Sequence, residues 1–265
     1  MTNASRPYDR AIEISRAEPV TLRFYGRRDC VSGAPLVLHF HGGAFTDGTL
    51  DDGRALADAL VEAGGVVASV DYPLAPAHKF PEAVEVGYGA LRWLARWRGR
   101  VCGANAPLYV AGEEAGGNIA AAVAMMARDR GDTLAGQLLV DPLLDPCVGT
   151  RSMREAHAGH AGQCKYADGW HHYFRTPQDA DHPYAAPASA QRLAGLPATL
   201  IVATTGTPLR DEVTAHAARL AAAGIPVDLV WAPRRESRTQ HARESAARFF
   251  TSRTHLRSSF ERTAP

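Results

Sequence analysis

The sequence is short of the features that mark secreted, membrane-embedded or nucleic-acid-binding chains. Its 265 residues include only four cysteines, at 30, 102, 147 and 164, and none forms a C-x-x-C pair. A chain of this mass buries roughly 73% of its unfolded surface, so it needs no disulfide staples. A reduced, cytoplasmic protein is the expectation. No apolar run approaches the ~18–20 residues that cross a bilayer. The segment Met1 to Arg16 is polar and has no apolar signal-peptide stretch. Charge of one sign is lacking too: 29 basic residues meet 28 acidic ones, for a net charge of +1. No global field therefore gathers DNA, RNA or an anionic membrane. Lysine is almost absent, Lys79 and Lys165 being the only two, which we read with the alanine abundance as genome composition. Neither G-x-G-x-x-G nor a P-loop Lys-Ser/Thr occurs, so no nucleotide cofactor, and no cofactor of any kind, is expected.

What is present is an alternation of short apolar runs with helical patterns. Leu36 to Phe40, Val66 to Val70, Leu108 to Val110, Leu138 to Val140, Thr199 to Val202 and Val227 to Trp231 read as buried strands, and a first strand starts near Val20. Arg54 to Ala63, Glu82 to Trp97, Gly117 to Met126, Asp211 to Ala223 and Ala242 to Phe250 have helical spacing. This predicts one α/β domain over 1–265, with a mostly parallel sheet covered by helices on both faces. From 148 to 191 periodicity weakens, predicting a cap-like excursion within that domain. There His157-x-x-His160 and His171-His172 lack a partner Cys or carboxylate at metal-site spacing, so no metal is expected. Chemistry in such sheets sits in loops at the carboxyl ends of the strands.

Three of those loops carry recognisable strings. His41-Gly42-Gly43-Ala44-Phe45 follows a strand, and its glycines let backbone N–H groups turn toward a ligand, as an oxyanion hole requires. Asp71-Tyr72-Pro73-Leu74-Ala75-Pro76-Ala77-His78 is a proline-stiffened loop. Gly112-Glu113-Glu114-Ala115-Gly116-Gly117-Asn118 joins strand to helix with small residues around one central position, as a nucleophile elbow demands. Together with His182-Pro183-Tyr184-Ala185-Ala186-Pro187 and Pro208-Leu209-Arg210-Asp211-Glu212, these strings resemble the hormone-sensitive-lipase-like, bacterial carboxylesterase branch of the α/β-hydrolase superfamily, from about residue 18 to 250.

The resemblance implies an α/β-hydrolase fold, an oxyanion hole from the N–H groups of Gly42, Gly43 and Ala115, and a homodimer. It also implies a Ser-His-Asp triad, and here the sequence departs from the family. Glu114 stands at the serine position and Thr207 at the aspartate position. Gapless extension from the last strand puts Glu236 at the histidine position, with His241 as a displaced alternative. Serine esterase chemistry needs all three groups. The expectation is therefore a non-hydrolytic enzyme acting on a small carbonyl-containing substrate, a polycyclic biosynthetic one included. Glu114 serves as general acid/base, Glu236 lies beside it and shares a proton, and the reaction is elimination, isomerisation, cyclisation or retro-aldol cleavage. The alternatives are a ligand-binding pseudohydrolase and a hydrolase with an unconventional constellation. Glu113 and Asp141 are supporting carboxylates. His41, Phe45, Tyr72, Trp170 and Tyr173 are the substrate-binding candidates, His41 as a loop-organising hydrogen-bonding group and the aromatics as pocket wall or core. The short segment ahead of Val20 implies a reduced cap.

Overall fold

The computed structural model describes residues 6–14, 18–26, 33–158 and 164–261; Cys30, His160 and part of the 148–191 excursion lie outside the described residues. Eight strands form one sheet. In chain order they are β1 (Tyr8–Ile12), β2 (Val20–Tyr25), β3 (Leu36–Phe40), β4 (Val66–Val70), β5 (Leu108–Glu113), β6 (Gly136–Val140), β7 (Thr199–Thr204) and β8 (Val227–Ala232). Their spatial order is β1-β2-β4-β3-β5-β6-β7-β8. The β1–β2 and β2–β4 pairs are antiparallel and every later pair is parallel. One strand precedes the expected first one: β1 is an edge strand whose residues 9–11 are exposed, so its apolar signal is too weak to read.

The parallel strands are buried on both faces and alternate between them. Leu36, Leu38 and Phe40 of β3 face one layer, while Val37 faces the other. The first layer holds α2 (Glu82–Val101) and α3 (Ala115–Asp129). Thirteen successive residues of α3, Ala115 to Ala127, are buried, and eight of them are alanine or glycine, which lets the helix approach the sheet closely. The second layer holds α1 (Arg54–Glu62) and α7 (Arg238–Glu261), packed around Tyr109, Phe249 and Phe250. The cap-like excursion contains α4 (Arg151–His157) and α5 (Lys165–Tyr173).

Between β7 and β8 runs α6 (Arg210–Ala222), which buries Glu212 and His216 one turn apart. Glu212 Oε2 accepts the Asp145 N–H at 2.8 Å, but Oε1 has no hydrogen-bond partner. Burial pushes the Glu212 carboxyl up to about 8. The native state then holds a proton that the unfolded chain releases near its ordinary value of 4.5, so stability contributed by this group falls as pH rises from about 5 to 8. In Glu212→Gln that component of the fall is expected to vanish, which a comparison of thermal midpoints with the parent between those two pH values measures.

Candidate functional site

Glu114 sits at the sharp turn between β5 and α3, with φ 53° and ψ −116°. Such a backbone costs of order 1–3 kcal/mol and persists only where its surroundings hold it. They do so here. The Glu114 N–H donates to the Val140 carbonyl at 3.0 Å, and the Glu114 carbonyl accepts from Leu143 N–H at 3.0 Å and Asn118 N–H at 3.2 Å. Asn118 is fully buried, and its Nδ2 bridges the carbonyls of Leu143 and Ala185. The crowding explains the glycines. A β-carbon on Gly112 would lie 2.1 Å from the Gly116 carbonyl oxygen, and one on Gly116 would lie 2.3 Å from those of Phe40 and His41.

From that turn the Glu114 carboxylate is fixed on both sides. Oε2 accepts the Gly43 N–H at 3.0 Å, and Oε1 lies 2.5 Å from Lys165 Nζ at the start of α5. The carboxylate thus occupies a backbone donor expected to serve a substrate carbonyl. Gly42 abuts the same oxygen, since a β-carbon there would approach Oε2 to 3.0 Å, and Ala115 opens α3 directly behind it. Lys165 also lies 4.6 Å from the ring centre of Tyr166, whose phenol is pushed up by burial and by the Glu114 carboxylate and stays neutral.

Glu114, Asp141, Tyr166, Thr204 and Thr207 line a cavity of about 340 Å³ at the carboxyl ends of the strands. Its opposite wall is Pro233, Arg234, Arg235 and Arg238, from the turn between β8 and α7. Asp141, at φ 40°, accepts hydrogen bonds from Thr204 N–H and Oγ1, both at 2.8 Å. Arg238 reaches down between two carboxylates, with Nη2 2.6 Å from Glu113 Oε2 and Nη1 3.5 Å from Asp141 Oδ2. Burial raises the Glu113 carboxyl and Arg238 opposes that rise.

Several expectations need correction. Glu236 is exposed and absent from the cavity lining. The 3-10 turn Arg235–Ser237 aims the arginines inward instead, so no Glu114–Glu236 pair forms. His241 is also absent from the lining, and its Nδ1 lies 2.9 Å from the Ser237 carbonyl oxygen within the first turn of α7. Among the expected substrate-binding residues, Phe45, Trp170 and Tyr173 form a packed cluster at 3% exposure or less, with the Phe45 and Tyr173 rings stacked at 4.0 Å. They fill the space that a pocket wall would enclose and fasten α5 to the loop after β3. His41 and Tyr72 lie behind the hole: their rings stack at 4.4 Å, and Tyr72 Oη donates to the His41 carbonyl. Burial lowers the His41 imidazole, which stays neutral. Lys165, Tyr166, Thr204 and the inward-facing Arg235 and Arg238 are site residues the sequence reading missed. The one available signal was that a chain with two lysines puts one of them in the excursion.

Among the described residues no group of three or more His, Cys, Asp or Glu could hold a metal ion, and no helix is long and apolar enough to cross a membrane. Residues 37–236 match the family model described as alpha/beta hydrolase fold. Esterase LipI of Mycobacterium tuberculosis is 38% identical over 232 residues, covering 84% of this chain and 72% of LipI. The chain spans a smaller share, 54%, of carboxylic ester hydrolase LipN from the same organism. Gibberellin receptor GID1B of Arabidopsis thaliana is 30% identical over 209 residues, covering 74% of this chain and 58% of the receptor. A solved esterase structure from Pyrobaculum calidifontis superimposes with a TM-score of 0.83 at 34% identity, covering 93% of this chain and 85% of the esterase. The chain belongs to the alpha/beta hydrolase fold family, in its hormone-sensitive-lipase-like, carboxylesterase-related branch.

Proposed function

We propose that this chain is a non-hydrolytic enzyme of that branch, moving a proton at the carbon beside a carbonyl group, with Glu114 as the acid/base. The observation that carries the proposal is the position of Glu114. A carboxylate, not an alcohol, projects from the elbow into the cavity, and it rests on the donor that would receive a carbonyl oxygen. Among the described residues the lining contains neither serine nor histidine, the nucleophile and base that acyl transfer uses in this family. An entering carbonyl oxygen takes the Gly43 N–H from Glu114 Oε2. The released oxygen then stands beside the α-carbon as a base, and the vacated donor meets the charge that develops on the carbonyl oxygen. Lys165 holds Oε1 at 2.5 Å and fixes the direction in which the carboxylate points.

A second reading, a ligand-binding pseudohydrolase, is favoured by the same Gly43–Glu114 contact, since a filled hole is a resting state without turnover. The similarity to a gibberellin receptor supports a binding role as well. One experiment separates the readings. The protein is incubated in deuterium oxide with small ketones and keto acids, among them pyruvate, levulinate and cyclohexanone, and α-proton loss is followed by proton NMR. A parallel assay uses p-nitrophenyl acetate. Exchange of at least one carbonyl compound above the buffer rate, without ester turnover, is expected. Saturable binding without exchange, or rapid p-nitrophenol release, overturns the proposal.

A further inference from the structure

The cavity carries more positive charge than its own carboxylates neutralise. Two carboxylates in its lining, Glu114 and Asp141, meet three arginines, Arg234, Arg235 and Arg238, and just outside the lining Lys165 and Glu113 add one charge of each sign. Lys165 is engaged by Glu114, and Arg238 by Glu113 and Asp141. Arg234 and Arg235 line the same cavity, and among the described residues neither has a carboxylate within ion-pair distance. Glu236, between them and α7 in sequence, is exposed and forms no such pair. The Arg235 charge nonetheless reaches inward, acting on both Glu113 and Tyr166. Tyr166 is a neutral phenol and cancels none of it.

We infer that Arg234 and Arg235 form an anion subsite at the rim of this cavity, and that the ligand carries a carboxylate at the end remote from its reacting carbonyl. Guanidinium groups present planar forks of N–H donors that match a carboxylate. The charge surplus is a single unit, which fits a monoanion rather than a phosphate dianion. A cavity of about 340 Å³ lined by both Glu114 and the two arginines holds a small acid whose carbonyl approaches Glu114 while its carboxylate stays at the rim. This rests on the reading that the Glu114 cavity is the working site, but it does not require that Glu114 moves a proton.

The test is binding alone. Hydrocinnamate, its amide and phenyl phosphate are titrated into the full chain by calorimetry, with the parent and with Arg234→Gln/Arg235→Gln, whose two positions are exposed. The parent is expected to bind the acid about tenfold or more tightly than the amide, because charge-assisted hydrogen bonds are at stake. The double variant loses that preference while its thermal midpoint stays unchanged. Equal affinity of the parent for acid and amide, an undiminished preference in the double variant, no binding of either at millimolar concentration, or tighter binding of phenyl phosphate than of the acid each overturns the inference. An acid preference that survives alongside absent α-proton exchange leaves this inference standing and removes only the catalytic proposal.

Discussion

Glu114→Gln is expected to lower α-proton exchange by about 10²–10⁴-fold, the usual span for a positioned general base. Glutamine has nearly the same volume, and its amide oxygen can still accept the Gly43 N–H that Oε2 accepts at 3.0 Å. What it cannot do is take a proton. It also leaves Lys165, 2.5 Å away, without its counter-charge. The affinity for hydrocinnamate should therefore change little or rise, because the cation surplus grows by one. Exchange rates from NMR, set against calorimetric affinities, separate the two effects. A loss of exchange below about tenfold sinks Glu114 as the base, and a parallel collapse of binding makes it a structural residue.

The other large effect is on stability. Arg238→Met is expected to cost about 3–5 kcal/mol near pH 8, because it strands Glu113 and Asp141 as buried carboxylates without a cation between them. Their side chains are only 11% and 8% exposed. The penalty must shrink in acid. Burial raises the Glu113 carboxyl and Arg238 lowers it, so removing the arginine lifts it further. A carboxyl raised in the folded state contributes stability below its unfolded value and loses it as pH rises through the folded one. Urea midpoints of the variant should approach those of the parent toward pH 5, and Glu113→Gln added to Arg238→Met should recover much of the loss at pH 8. An equal deficit at both pH values would mean that packing of the arginine stem dominates.

How much of this could be read from the residues depends on how local the determinant is. The parallel strands were legible because double burial leaves continuous β-branched runs, as in Val66 to Val70. The strand-to-helix turn was legible because Gly112 answers to backbone crowding four residues away, at Gly116, whereas Gly42 and Gly116 answer to contacts between two loops distant in sequence. The wall opposite Glu114 was not. Gapless counting past β8 reached Glu236, but a 3-10 turn rotates side chains by about 120° per residue, so Arg235 and Arg238 point inward. Phe45, Trp170 and Tyr173 carry no local sign of whether they enclose space or fill it. That depends on α5 docking against a loop more than a hundred residues away, and the Lys165–Glu114 contact likewise spans 51 residues.

The tether between Glu114 and Gly43 has one more consequence. An occupant attached to the same backbone competes at an effective concentration that a freely diffusing neutral carbonyl rarely matches. On the proposed function, a bare ketone such as cyclohexanone therefore exchanges more slowly than a keto acid whose remote contacts help it outweigh the incumbent, and discrimination is exercised by displacement rather than by shape.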